Sequence, residues 1–269
     1  MRYDIYQIDA FTKEPFKGNP AAVVPFDAWP ADEVMQNIAL ENNLAETAFF
    51  SPDGDNFGLR WFTPTVEMDL CGHATLATGY LIFEVLGTDK KILRFQTLSG
   101  ELTVEKQGDQ YVMDFPSRPA SPFEAPAGLI EAIGAEPKEV LKANDYLLVF
   151  ENESQVKAIK PDLAALKQVA PRGVIVSAPG DSSDFVSRFF APAVGVDEDP
   201  VTGSTHTTLI PYWAERLGKK ELFARQVSSR GGELFCELRG ERVKIGGQAT
   251  LYLKGEIYVE TTEPRVASA

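Results

Sequence analysis

Arg60-Trp61-Phe62-Thr63-Pro64-Thr65-Val66 returns later in the chain as Arg188-Phe189-Phe190-Ala191-Pro192-Ala193-Val194. Each copy leads through an acidic stretch to a glycine that opens an apolar run. The first run begins Cys71-Gly72-His73-Ala74-Thr75 and the second Thr202-Gly203-Ser204-Thr205-His206. Gly87 lies 15 positions after Gly72, and Gly218 lies 15 after Gly203. Further on, Gly100-Glu101-Leu102 is echoed by Gly232-Glu233-Leu234, and the offset between copies widens only from 128 through 131 to 132. Two such units in 269 residues predict two related lobes, because a solenoid would need at least about three repeats. Related lobes that face each other enclose one cleft, and two glycine-led helix starts would line it.

The bulk composition narrows the partners. A formal charge of -13 and a pI near 4.7 disfavour nucleic acid and anionic membrane, both of which require a basic face. Cys71 and Cys236 are too few for a disulfide scaffold, so a reducing cytoplasm is the expected compartment. Met1-Arg2-Tyr3-Asp4 alternates as a strand does, not as a basic-then-apolar leader. No apolar run approaches the roughly 18 residues of a membrane span.

Period-two alternation predicts strands at Tyr3–Phe11, Ala21–Pro25, Leu44–Phe50 and Gly58–Phe62, then Leu93–Thr97, Gly100–Lys106 and Gln110–Phe115. Ala31–Glu41 has helical spacing and stops at Asn42-Asn43. Ala74–Leu86 and Thr205–Leu217 are apolar nearly all round, as buried helices are, although Pro211 removes a backbone donor from the second. The proline-rich stretch Pro116–Pro126 reads as a linker, placing lobes at residues 1–118 and 119–269. Further strands are expected at Leu147–Glu151, Gly173–Ser177, Phe185–Phe189, Gln226–Ser229, Glu233–Leu238, Val243–Gly246 and Ala249–Val259. The predicted class is α+β: two pseudo-symmetric lobes, each a curled mixed sheet around a central buried helix.

Glu46 is the most informative polar residue. On its strand it shares a face with Leu44, Ala48 and Phe50, and a carboxyl among apolar groups has a raised pKa suited to proton transfer near neutrality. The competing reading is an edge glutamate turned to solvent. Gly72 and Gly203 open helices whose free N–H groups bind carboxylate or phosphate, unless each glycine serves only close packing. No Gly-Lys-Ser/Thr follows either, and no G-x-G-x-x-G follows a strand, so neither a P-loop nor a dinucleotide site is supported. His73 and His206 lack the spacing of a metal site, and no metal is expected. A structural hydrogen bond is the preferred role of His206. Asp199 caps the second helix or orients a catalytic partner. Cys71 is either a thiol base at a helix start or a small buried residue.

Taken together these residues resemble the PhzF-like phenazine-biosynthesis family, within the diaminopimelate epimerase superfold. The motifs are Asp9-Ala10-Phe11-Thr12 with Gly18-Asn19-Pro20, Asn43-Leu44-Ala45-Glu46-Thr47, Phe62-Thr63-Pro64, Cys71-Gly72-His73-Ala74-Thr75 and Asp199-Pro200-Val201-Thr202-Gly203-Ser204. The resemblance implies a cofactor-free homodimeric isomerase in which Glu46 shuttles a proton on a small carboxylate-bearing substrate, assisted by His73 and Asp199. It implies that Asn19, Gly72, Gly203 and Ser204 bind that substrate. The epimerase relatives use a thiol at each helix start, whereas here Thr202 occupies the second position, and a hydroxyl is too weak an acid to mirror a thiol. Two other readings stay open: a racemase or epimerase using Cys71, and a non-catalytic small-molecule binder on the same fold.

Overall fold

The computed structural model describes residues 1–259. The sequence repeat becomes a repeat of strand pairing. The first half runs β1 (Arg2–Ala10), β2 (Asn19–Pro25), α1 (Asp32–Asn42), β3 (Glu46–Asp53), β4 (Asn56–Phe62), β5 (Glu67–Met68), α2 (Gly72–Tyr80), β6 (Ile92–Thr97), β7 (Gly100–Gln107) and β8 (Gln110–Pro116). The second half opens with β9 (Ser121–Pro122), α3 (Leu129–Ile133), β10 (Glu139–Lys142), β11 (Tyr146–Val149), α4 (Glu153–Ala158) and α5 (Leu163–Val169). It continues with β12 (Val174–Pro179), β13 (Phe185–Ala191), β14 (Val196–Asp199), α6 (Gly203–Leu217), β15 (Glu221–Gln226), β16 (Gly232–Arg239), β17 (Arg242–Gly247) and β18 (Ala249–Tyr258).

From β2 the order is β2-β3-β4-β6-β7-β8, with pairings parallel, antiparallel, parallel, antiparallel, antiparallel. From β11 the order β11-β12-β13-β15-β16-β17 has the same five senses. Each parallel pair needs a crossover, and helices supply it: α1 or α4–α5 for the first, α2 or α6 for the second. The halves are stitched by antiparallel pairing of β8 with β17. After Gln248 the chain crosses back, and β18 pairs antiparallel with β1 over its length. Residues 249–258, assigned from sequence to the second lobe, thus hydrogen-bond to the first strand of the first lobe, and residues 260–269 of that lobe lie outside the described residues.

The largest apolar cluster surrounds both central helices, with Leu76 and Leu81 from one side and Leu209 and Trp213 from the other. Every residue of α2 except Tyr80 is buried, as its all-round apolar sequence requires. The helix starts at Gly72, two residues before the sequence boundary, and beyond Tyr80 it widens into a π-helical stretch over Leu81–Gly87. Its counterpart α6 runs unbroken through Pro211. A proline there leaves the carbonyl of Thr207 without its usual helical donor, and the backbone N–H of Arg118 supplies one at 2.9 Å. The proline-rich connection between the halves therefore completes the helix it passes.

One expected strand is displaced. Gln226–Ser229 is not a strand; β15 occupies Glu221–Gln226, where Leu222 and Ala224 alternate inward, and the following residues turn back through Gly231 at φ 68°. Short helices α3–α5 were not foreseen, because five to seven residues carry too little periodicity to register.

The two central helices meet at their N-termini. A Cβ placed on Gly72 would lie 3.4 Å from the Cα of Gly203, and one on Gly203 would lie 3.5 Å from the Cα of Gly72. Backbone therefore rests on backbone, and a single β-carbon already fills the available contact distance. Gly203→Val adds two further carbons in the same place, so it is expected to lower unfolding stability by about 1–3 kcal/mol, measured by denaturant titration. An unchanged midpoint would show that the helix starts have room to part.

Candidate active site

Four segments converge where the helices abut. The α1 helix ends in Asn43 at φ 49°, a left-handed stop that satisfies the Ala39 carbonyl, and the chain then enters β3 with Glu46 as its first residue. The β1–β2 loop delivers Asn19, fully buried, at the start of β2. The α2 start brings Cys71 and His73, and β14 ends in Asp199 just before α6.

Glu46 Oε2 lies 3.5 Å from His73 Nε2, and His73 Nδ1 lies 3.5 Å from Cys71 Sγ. Asp199 is held on both oxygens: Asn19 Nδ2 donates to Oδ1 at 2.7 Å, and the Thr202 hydroxyl donates to Oδ2. Asn19 also donates to the Val201 carbonyl at 2.9 Å. Gln226 accepts from the Thr202 N–H at 2.9 Å and donates to the Asp199 carbonyl at 2.7 Å. Neither α2 nor α6 has a side-chain cap on its first N–H groups. Ser204 stands exposed in the first turn of α6.

Burial, reinforced by the neighbouring Asp199 charge, raises Glu46 to about 8. Asp199 is itself raised by burial, to about 6, against the pull of its Thr202 and Asn19 hydrogen bonds. Burial drives His73 down to about 3 and the Cys71 thiol well above its ordinary value. At neutral pH the site therefore holds a protonated Glu46, a neutral imidazole, a neutral thiol and an ionised Asp199.

Glu46, His73, Asp199, Asn19, Gly72 and Gly203 come together as the motifs required, with Ser204 at the rim. His206 does not join them. It is fully buried two residues deeper in α6, where Nδ1 meets the Thr202 carbonyl at 2.8 Å and the ring lies 5.8 Å from that of Phe185. Its pKa is pushed down by burial to about 4, which fits a structural hydrogen bond. Gln226, which helps to fix Asp199, carried no sequence motif; Thr202 lay inside a motif but stood out only as a missing thiol. Donor atoms of Glu46, Cys71 and His73 also lie within 4.8 Å of one another, a grouping the histidine spacing did not reveal. His73 presents opposite ring nitrogens to Cys71 and Glu46, so no single ring nitrogen faces both partners as ligation of one shared ion would ask.

The α+β fold, with two central helices abutting at their starts, is shared with known proteins. The family model of the phenazine biosynthesis-like proteins (PhzC-PhzF) matches residues 8–255. The chain is 53% identical over 259 residues to a protein named as an uncharacterized isomerase from Pseudomonas aeruginosa, covering 96% of this chain and 100% of that one. The crystal structure of a PhzF-family protein from Enterococcus faecalis superposes with a TM-score of 0.94 at 48% identity, covering 96% of this chain and 100% of the other. A probable proline racemase from Agrobacterium radiobacter shares the fold alone, with a TM-score of 0.65 at 10% identity over 97% and 94% of the two chains. The chain belongs to the phenazine biosynthesis-like PhzC-PhzF family and is an enzyme of the isomerase class. No helix among the described residues is long and apolar enough to cross a membrane.

The raised Glu46 pKa has a thermodynamic consequence. The folded state keeps a proton that the unfolded chain releases above the ordinary value of 4.5. Stability is therefore complete below that value and declines as pH rises towards about 8, by up to roughly 1.4 kcal/mol per unit. Glu46→Gln carries no such penalty, so it is expected to raise the melting temperature over wild type at pH 8 more than at pH 5. An equal difference at both values would show that Glu46 ionises normally in the fold.

Proposed function

We propose that the protein is a cofactor-free isomerase that moves a proton within a small carboxylate-bearing metabolite. Glu46 takes and returns the proton. The observation that carries this reading is a largely buried carboxyl beside Asp199 and 3.5 Å from His73, surroundings that push its pKa up to about 8. Such a group gives up a proton readily near neutrality and, once ionised, is a stronger base than an ordinary carboxylate.

The uncapped starts of α2 and α6, through Gly72, Gly203 and Ser204, hold the substrate carboxylate and stabilise charge that develops next to it. Asn19 Oδ1 and His73 Nε2 are buried without hydrogen-bond partners, as groups reserved for a ligand are. Asp199 supplies a fixed negative charge that favours the protonated form of Glu46. His73, neutral at physiological pH, stands between Glu46 and Cys71, with Nε2 turned to Glu46 and Nδ1 to Cys71. The reading includes a homodimer in the cytoplasm, consistent with the family resemblance and the acidic, cysteine-poor composition.

Racemisation through Cys71 is the second reading, favoured by the thiol at a helix start. Two points weigh against it. The thiol is held protonated by burial and by Glu46, and its counterpart is Thr202, whose hydroxyl is engaged with Asp199.

The two assignments separate in one experiment on the ligand that mass spectrometry recovers from purified protein. Glu46→Gln keeps the shape and loses the exchangeable carboxyl, so deuterium incorporation from solvent should fall at least about 10²–10⁴-fold. Cys71→Ser should cost little. Exchange that survives in Glu46→Gln and disappears in Cys71→Ser would promote the epimerase. A bound ligand that exchanges with neither enzyme form would promote the non-catalytic binder.

Metal dependence is a separate check. Turnover of the recovered ligand should survive prolonged treatment with a strong chelator. Activity abolished by chelation and restored by zinc would overturn the cofactor-free reading.

A further inference from the structure

The motif Asp9-Ala10-Phe11-Thr12 contributes nothing directly to the site, yet Asp9 is only 1% exposed. A carboxylate is buried this deeply only when it is paired. One of its oxygens accepts from Arg230 Nη2 at 2.8 Å, and the other accepts from the Phe16 N–H at 2.9 Å. Arg230 lies in the turn between β15 and β16 of the second half, and it does more than neutralise Asp9. Its Nη2 also donates to the Lys17 carbonyl at 2.9 Å, and its Nε donates to the Gly18 carbonyl at 2.8 Å. The neighbouring Gly231 carbonyl accepts from the Gly18 N–H at 2.8 Å. The Gly18 carbonyl belongs to the peptide unit whose nitrogen is that of Asn19, so Arg230 fixes the plane from which Asn19 departs.

The loop so held adopts a conformation it would not choose alone. Phe11 and Phe16 sit at φ 63° and 73°, a region bulky residues avoid unless the surroundings enforce it. A Cβ at Gly18 would lie 2.1 Å from the Ala10 carbonyl oxygen, so no other residue closes the loop here. From this fixed point Asn19 reaches across to Asp199 and the Val201 carbonyl.

We propose that Arg230 is a positioning residue for the proton-transfer site, locking the β1–β2 loop to the second lobe so that Asn19 hydrogen-bonds Asp199. The proposal rests on the functional reading of Asp199, but its geometry and its test need no turnover. The titratable groups acting on Asp199 are Glu198 on its own strand, Glu46 on β3 and Cys71 at the α2 start. Arg230 faces Asp9 instead, so its influence on Asp199 passes through Asn19.

The test is carboxyl 13C NMR of aspartate-labelled protein, following the titration midpoint of Asp199 alongside the melting temperature. Arg230→Lys keeps a cation opposite Asp9 but cannot form the planar fork to two carbonyls. It should fold and still move the Asp199 midpoint upward, by about half a unit or more, because a hydrogen bond to the charged form is lost. Asp9→Asn, which frees Arg230 from its anchor, should move it in the same direction. Asn19→Ala should reproduce the shift, and combining it with Arg230→Lys should add nothing further. An unchanged Asp199 midpoint in whichever of Arg230→Lys and Asp9→Asn folds, even with a lowered melting temperature, would reduce Arg230 to a structural tie and overturn the proposal. Additive shifts in the double variant would overturn the route through Asn19. If catalysis by Glu46 fails while these shifts appear, the positioning claim stands and the functional reading falls.

Discussion

Two helix N-termini pressed against each other at Gly72 and Gly203 set the terms for the rest of the molecule. Each end carries the equivalent of roughly half a positive charge, and like ends repel. Such a junction is tolerated when negative charge is supplied to it, and it offers uncapped N–H groups to whatever supplies it. Asp199 provides a permanent charge at the α6 start, held there by Asn19 from one half of the chain and Thr202 from the other. On the proposed reading, the remaining capacity of the junction is what holds the substrate carboxylate. The two backbones lie so close that a single β-carbon at either glycine would already fill the contact distance between them.

The scaffold is symmetric and the chemistry is not. Offset by the repeat, Cys71 answers to Thr202, His73 to Ser204, and Thr75 to His206. Strand register extends the comparison: Thr47 opposes Phe62 as Val174 opposes Phe190, so Glu46 answers to Gly173, which has no side chain. The first half therefore contributes Glu46, the proposed acid–base group, and the His73 imidazole, and the second contributes the Asp199 carboxylate and the Thr202 hydroxyl. Burial then separates the two carboxyls. Glu46 has no hydrogen bond to its charged form and rises to about 8, whereas Asp199 has two and is limited to about 6. A pair of carboxyls pushed apart in this way can hold one proton between them, favoured on Glu46.

The repeat was legible because it is written in aromatic and glycine positions that fall at matching strand and helix positions in both halves, and it yielded the repeated strand order and both central helices. Glu46 was legible because an acidic residue interrupts an apolar strand face. The return of β18 to β1 was not, since a strand's own pattern does not name its partner. Nor were the supports of the site. Gln226 lies in a segment whose strand was displaced by several residues in the sequence reading, and Arg230 is one charge in an ordinary turn. The fully buried Trp61 and Phe95 and the short helices α3–α5 follow from packing rather than from any local signal. His206 shows the converse, a residue conspicuous by its rarity that the fold uses only to hold a carbonyl.

The central claim is that burial beside Asp199 keeps Glu46 protonated at neutral pH. Its most direct test is the carboxyl 13C titration of Glu46 in glutamate-labelled protein, assigned with the Glu46→Gln variant. The account predicts a midpoint near 8, falling when Asp199 is replaced by asparagine. A Glu46 midpoint close to the ordinary carboxyl value of 4.5, unmoved by Asp199→Asn, would contradict it.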